Sequence, residues 1–172
     1  CGLVDSQNLS TGIGSLVMIA GEMAKEGQSA EKIAERLKTI IPRVKVNFVI
    51  DTLEYLYKGG RCNVLQHLLG TALRIRPIIG VQQGNMIVEN KVRGDRKISL
   101  EKIINKVVNN SSQIDFNLIF ITYSRGSEED ALYVKNHLCK VLPDKEFLLT
   151  KAGCVISSHC GEGTIGVIYI QK

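Results

Sequence analysis

The chain has 172 residues, of which 44% are hydrophobic and 23% are charged, a composition typical of a globular protein with one sizeable core or two small ones. Its formal net charge of +5 and its 5% aromatic content favour a small anionic ligand or an acidic partner over nucleic acid. No run of about 18 apolar residues and no secretory signal is visible, and the five cysteines are unevenly spaced. We therefore expect a cytoplasmic protein with free thiols and no membrane span.

The first predicted elements are two helices joined by a short loop. One helix runs from the candidate caps Ser10 and Thr11 to about Lys25, and the other is capped by Ser29 and stopped by Pro42. Because a loop of only about three residues separates them, they are expected to pack as antiparallel neighbours. The first residues, CGLVDSQ, resemble a strand running into a loop. The sequence is therefore expected to begin within a larger protein.

The central stretch begins with a predicted buried strand at 44–50, which is rich in β-branched residues. Asp51 is the candidate cap of a short helix, with Glu54 in the position of a capping box. The glycine pair 59–60 is expected to end this helix, since glycine adopts positive φ without strain. Arg61 comes directly after these two glycines, which have no side chains. This position predicts either an anion-binding site or simply a solvated arginine.

The middle of the chain combines helices with a hairpin. A helix is predicted at 63–73, then a hairpin over 78–91 with its turn at 82–85. The basic cluster 91–97 is interpreted as a solvated loop, and Ser99 as the cap of the next helix.

The last third alternates strands and a helix. A buried strand is predicted at 118–122, a short strand at 146–151 and a final buried strand at 164–171. A helix is predicted to open at Ser127 and to end before Pro143. Helices that alternate with strands, together with a hairpin, favour an α/β fold with a mixed sheet.

A second stretch, 153–164, is predicted to be a loop of small polar residues before the final strand. Gly161 and Gly163 would let the backbone approach an anion, and His159 can donate or accept a hydrogen bond near neutral pH. The alternative is a structural glycine loop whose histidine is satisfied by backbone. The spacing of Cys154, His159 and Cys160 lacks a second ligand pair, so neither a metal site nor a catalytic residue is predicted.

Four motifs follow one another along the chain: VDSQNLSTGIG, DTLEYLYKGGR, LLG…LRIRPIIGVQQG…VRGDRK and HCGEGTIGV. Together they resemble the DegV family of bacterial fatty-acid-binding proteins, over essentially the whole chain. The resemblance implies an α/β fold with a mixed β-sheet lobe and flanking helices, preceded by two helices of a truncated N-terminal α/β lobe. Residues 1–43 would be the tail of that N-terminal lobe, a strand remnant plus two helices, and 44–172 would be the C-terminal lobe.

The resemblance also implies a function. Family members bind a long-chain fatty acid and present its carboxylate to a separate fatty-acid kinase subunit, which makes an acyl phosphate for phospholipid synthesis. Arg61 and His159 would lie near the carboxylate, whereas Arg93 resembles the family's loop arginine that serves the kinase. The protein would then be a carrier and not an enzyme, with the fatty acid as its ligand and no cofactor.

Two departures from the family pattern stand out. Glu162 occupies the proline position of the usual small-Gly-Pro-Gly pattern, which puts a negative charge in a loop expected to hold a carboxylate. The Thr/Ser residues that grip the carboxylate in the family have no counterpart before Cys1. Two alternatives therefore stay open: an enzyme acting on a small anionic substrate at Arg61 and His159, or a structural domain that binds nothing. A truncated lobe is also expected to self-associate if it exposes an apolar face.

Overall fold

The elements of the fold surround one mixed sheet. The computed structural model describes residues 2–61 and 75–172. In chain order its helices and strands are α1 (Ser10–Lys25), α2 (Ala30–Ile40), β1 (Val44–Val49), α3 (Glu54–Lys58), β2 (Ile75–Gln82), β3 (Asn85–Arg93), α4 (Arg96–Asn109), β4 (Leu118–Tyr123), α5 (Glu128–Val141), β5 (Glu146–Lys151), α6 (Cys154–Cys160) and β6 (Ile165–Ile170). The predicted helix at 63–73 lies outside the described residues.

The six strands are arranged in the order β3-β2-β1-β6-β4-β5. Only β4 and β5 are parallel neighbours within this sheet, and its other pairs are antiparallel. The central strand β6 is buried along its whole length, as its run of β-branched residues predicts for a strand covered on both faces. The α/β fold with a mixed sheet and flanking helices is thereby confirmed.

Each face of the sheet packs against its own set of helices. Because side chains alternate along a strand, Phe48 of β1 joins a core with α1 and α2, whereas Val49 joins a core with α4 and α5. Each fully buried Val, Leu, Ile or Phe side chain contributes about 1.5–3 kcal/mol relative to an exposed one. The helices within 1–43 thus pack on the sheet of 44–172, and their assignment to a separate lobe stays a prediction.

Several predicted boundaries are correct and have a local cause. Ser29 caps α2, with its Oγ accepting a hydrogen bond from Lys32 N at 3.4 Å. The hairpin turn lies where predicted, and both Gln83 and Gly84 have positive φ, as a tight two-residue hairpin turn requires. The paired strands are longer than predicted, reaching from Ile75 to Arg93.

Other predicted caps are wrong, because the helix begins elsewhere or the side chain has a different partner. Helix α1 begins after Leu9 without a side-chain cap, and the Oγ1 atoms of Thr11 and Thr122 lie 2.6 Å apart instead. Helix α4 begins at Arg96, so Ser99 is buried inside it. Ser127 does stand at the start of α5, but it makes no side-chain cap and accepts a hydrogen bond from Arg96.

The outer surface of α1 is partly apolar. Ile13, Val17 and Met18 are exposed on this helix, and the predicted self-association stays a prediction.

Across residues 2–61 and 75–172, none of the helices combines the length and the apolar character needed to traverse a bilayer.

Candidate functional site

Two short helical segments meet beside the ends of β1 and β6. The first, which we call the arginine segment, is 51–61 and contains α3; the second, the histidine segment, is 153–164 and contains α6. The prediction that 153–164 is a loop is wrong, since seven of its residues form α6. Helix α6 packs against α3, so the two stretches singled out in the sequence lie against each other.

Glycines form the contact between the two segments. A Cβ atom on Gly59 would overlap the His159 ring, and one on Gly161 would overlap the Tyr55 ring. A Cβ on Gly163 would overlap the Asp51 carboxylate. Because no other residue lets the backbones approach this closely, these glycines fix the distance between the arginine and histidine segments.

The end of α3 is a Schellman motif, and it holds Arg61 in place. Gly60 has φ +68°, and its N–H donates to Tyr57 O at 3.0 Å while Arg61 N donates to Leu56 O at 2.8 Å. These are the 5→2 and 6→1 backbone hydrogen bonds that define the motif. The Arg61 guanidinium remains exposed and donates from Nη1 to Gly59 O at 2.6 Å. The predicted glycine stop is confirmed.

The predicted cap of α3 is wrong, and Asp51 has a different role. Thr52 Oγ1 accepts from Glu54 N at 3.1 Å, whereas Asp51 accepts from Arg96 Nη1 at 2.6 Å. Arg96 also donates to Asp130 and, from Nη2, to Ser127 at 3.1 Å. Arg96 is therefore not part of a solvated basic loop, and it ties the start of the arginine segment to α5.

A cavity of about 360 Å³ lies beside the two segments, within the usual size range of small-molecule sites. Its wall contains both Arg61 and His159, so the structure brings these two predicted site residues together. Asn85 adds another polar side chain, and the apolar part of the wall is formed by Leu9, Phe48, Leu56, Met86, Val155 and Ile156. The arrangement is an apolar cavity with a few polar groups, including one guanidinium and one imidazole.

The two nitrogens of His159 have different surroundings. Nδ1 is buried against Gly59 and has no hydrogen-bond partner among the described residues. Because His159 also lines the cavity, Nε2 is the ring nitrogen available to a bound group. The neighbouring Cys160 is buried in the same wall, and burial raises the pKa of its thiol to about 11. This thiol is protonated near neutral pH and is unsuited to nucleophilic attack.

The remaining predicted site residues lie outside this wall. Arg93 is exposed at the end of the edge strand β3. Glu162 has a side chain that is 69% exposed, with Oε1 3.7 Å from Arg125 Nε, so its charge faces solvent and its ion pair is weak. Within the described ranges, no three His, Cys, Asp or Glu side chains come together as metal ligands would.

A second, narrower cavity of about 30 Å³ adjoins the first. The two cavities share four wall residues, Leu9, Phe48, Ile156 and Cys160. The narrow cavity reaches the sheet itself at Thr122, Gly166 and Ile168. Sequence reasoning missed this cavity, although the isolated glycine at 166 in a buried strand is the signal that could have indicated it.

Known proteins share both the sequence and the fold. A DegV domain-containing protein from Caldanaerobacter subterraneus subsp. tengcongensis is 34% identical over 171 residues, which are 99% of this chain and 60% of that protein. The crystal structure of a fatty acid binding DegV family protein from Streptococcus agalactiae has a TM-score of 0.88 at 26% identity, over 99% of this chain and 60% of that one. The Fatty Acid Kinase (Fak) B3 protein of Streptococcus pneumoniae, loaded with linoleic acid, shares the fold with a TM-score of 0.86 at 20% identity, over 99% of this chain and 60% of that one.

The chain thus spans about 60% of the length of these relatives. The family profile described as "Uncharacterised protein, DegV family" matches residues 2–172, which include both the arginine and the histidine segments. With the sequence match, the sheet and the paired segments in agreement, the chain belongs to the DegV family.

Proposed function

We propose that the protein binds a long-chain fatty acid in the 360 Å³ cavity, with the carboxylate facing Arg61 and His159. The observation that carries the proposal is the placement of a guanidinium and an imidazole in one otherwise largely apolar wall. An amphiphilic anion is the ligand class that such a wall accommodates. The fatty-acid-binding relative from Streptococcus agalactiae, which shares the fold at 26% identity, supports the same ligand class.

The two parts of such a ligand would contribute differently to binding. Each methylene group buried against the apolar wall contributes about 0.8 kcal/mol, so the acyl chain dominates the affinity. One charge-assisted hydrogen bond from Arg61 adds about 1.5–3 kcal/mol and sets the direction in which the chain enters. A neutral lipid of the same length would keep the first contribution and lose the second.

The test of this proposal is the lipid content of the intact protein. We expect that extraction of the purified protein, followed by mass spectrometry, recovers long-chain fatty acid close to one molecule per chain. An unrelated protein of similar size, purified in the same way from the same host, is the control and should carry none. A purified protein without fatty acid, and with no affinity for added fatty acid, would contradict the proposal.

We further propose that the protein is a carrier that presents the bound carboxylate to a fatty-acid kinase. Arg93 is exposed and lies outside the cavity wall, so a partner can contact it without disturbing the ligand. The fold shared with the Fak B3 protein and the resemblance of the VRGDRK motif to the family's loop support this step.

Replacing Arg93 by alanine is expected to leave fatty-acid affinity unchanged and to slow phosphorylation of the bound acid by a partner kinase at least about tenfold, the effect of one lost charged contact. The measurement pairs a binding titration with a kinase assay on the same preparation. Arg125, whose side chain is 84% exposed, provides the matched control, and Arg125→Ala should alter neither quantity. Loss of binding in Arg93→Ala would show that this arginine serves the ligand instead.

A further inference from the structure

The narrow cavity of about 30 Å³ shares wall residues with the cavity of about 360 Å³, which we call the wide cavity. Five of the residues that line it carry a hydroxyl group: Ser10, Thr122, Tyr123, Ser124 and Thr164. Three of these hydroxyls, those of Thr122, Ser124 and Thr164, already form hydrogen bonds within the protein. Thr122 Oγ1 lies 2.6 Å from the Thr11 hydroxyl and 2.8 Å from that of Thr150.

The other two hydroxyls are engaged by nearby backbone. Ser124 Oγ accepts from Thr164 N at 2.9 Å, and Thr164 Oγ1 donates to Cys160 O at 3.0 Å. Hydroxyls that are paired in this way offer little to a polar ligand. Apolar residues form much of the remaining wall, namely Leu9, Val46, Phe48, Ala152, Ile156 and Ile168. The narrow cavity therefore favours an apolar group.

Gly166 makes room for this cavity. It lies in β6 between Phe48 of β1 and Thr122 of β4, which are its partners on the neighbouring strands. Cross-strand partners point to the same face of a sheet, so any side chain at 166 would enter the cavity. Gly166 has no positive φ in this strand, which means that backbone conformation does not require glycine here.

We infer that Gly166 is a specificity-determining residue, because the empty space above it receives the methyl end of the bound acyl chain. This inference rests on the proposed function, and it deepens that function by naming what limits acyl length. A water-sized group needs about 10–15 Å³ by the measure that gives 30 Å³ here. The narrow cavity therefore holds about two carbons beyond the wide one.

Two variants change this space in opposite directions. A Cβ at position 166 would lie 3.3 Å from Phe48 Cβ and 3.5 Å from Ile168 Cδ1, so Gly166→Ala fits with a slight shift and reduces the volume of the cavity. Ile168→Val removes that Cδ1 atom and enlarges the cavity. Gly21→Ala adds the same methyl group elsewhere, on a surface of α1 where no atom of the described residues lies nearby, and is the matched control.

The experiment measures the affinity of each intact variant for saturated fatty acids of increasing length, and the lengths recovered by extraction. Gly166→Ala should shift the preferred length down by about one to two carbons, Ile168→Val should shift it up, and Gly21→Ala should match the wild type. Opposite shifts cannot come from a general loss of stability. If the wild type binds fatty acid but both variants keep its length preference, the inference is overturned and the proposed function stands. If the wild type binds no fatty acid, both the inference and the proposed function fail.

Discussion

Replacing Arg61 by alanine is expected to weaken the binding of a long-chain fatty acid by about tenfold to about a hundredfold, from the loss of one charge-assisted contact worth about 1.5–3 kcal/mol. Arg61 lines the wide cavity. Its backbone N–H is held by the Schellman motif, and its side chain adds one hydrogen bond to Gly59 O, so the two backbone hydrogen bonds remain when the side chain is removed. The substitution therefore removes the guanidinium while leaving α3 in place. A binding titration at constant ionic strength measures the effect.

Two controls separate the charge of Arg61 from its packing. The methyl ester of the same fatty acid has no carboxylate, so it should bind the wild type and Arg61→Ala with similar affinity. Arg61→Lys keeps the positive charge without the planar guanidinium. Its affinity for the fatty acid should lie between those of the wild type and Arg61→Ala. Equal losses for the acid and its ester would mean that Arg61 contributes packing and not charge recognition, and the assignment of the carboxylate to this residue would be wrong.

Replacing Gly161 by alanine is expected to have the largest effect on stability. Gly161 has φ +81° and ψ −178°, a region that is open almost only to glycine and costs any other residue about 1–3 kcal/mol. The added methyl group would also overlap the Tyr55 ring, which adds to the loss. Urea denaturation should show a lower midpoint with an unchanged slope.

A second glycine separates backbone strain from overlap. Gly126 has φ +78°, and a methyl group added there would meet no atom of the described residues, so Gly126→Ala carries the backbone cost alone. We expect it to lose about 1–2 kcal/mol, less than Gly161→Ala. Adding Tyr55→Ala to Gly161→Ala should recover part of the difference. A Gly161→Ala protein as stable as the wild type would contradict the tight contact between the arginine and histidine segments.

Local patterns predicted much of this fold because their causes are local. The glycine pair 59–60 ends α3, since positive φ is a property of the residue itself. The runs of β-branched residues mark β1, β4 and β6, because such residues suit a covered sheet. Helix α6 escaped prediction because CVISSHC contains serines and β-branched residues, which are weak helix formers. Its seven residues are too few to be stable alone, and packing on α3 supports them.

Long-range partners were beyond the reach of sequence spacing. Asp51 and Glu54 match the spacing of a capping box, yet Asp51 pairs with Arg96, which lies 45 residues further along the chain. Nothing in the local sequence indicates this ion pair. The proximity of Arg61 and His159 was expected only from the family resemblance, and the structure places both in one cavity wall. That they contact a carboxylate stays a prediction.

The pairing of β1 with β6 has a consequence for the order in which the protein folds. Val49 at the end of β1 pairs with Ile165 at the start of β6, so the arginine and histidine segments meet only when β6 enters the middle of the sheet. Loops this long close late in folding. A chain in which β6 has not yet been inserted would lack the strand between β1 and β4, and the two segments beside the wide cavity would not be held together by strand pairing.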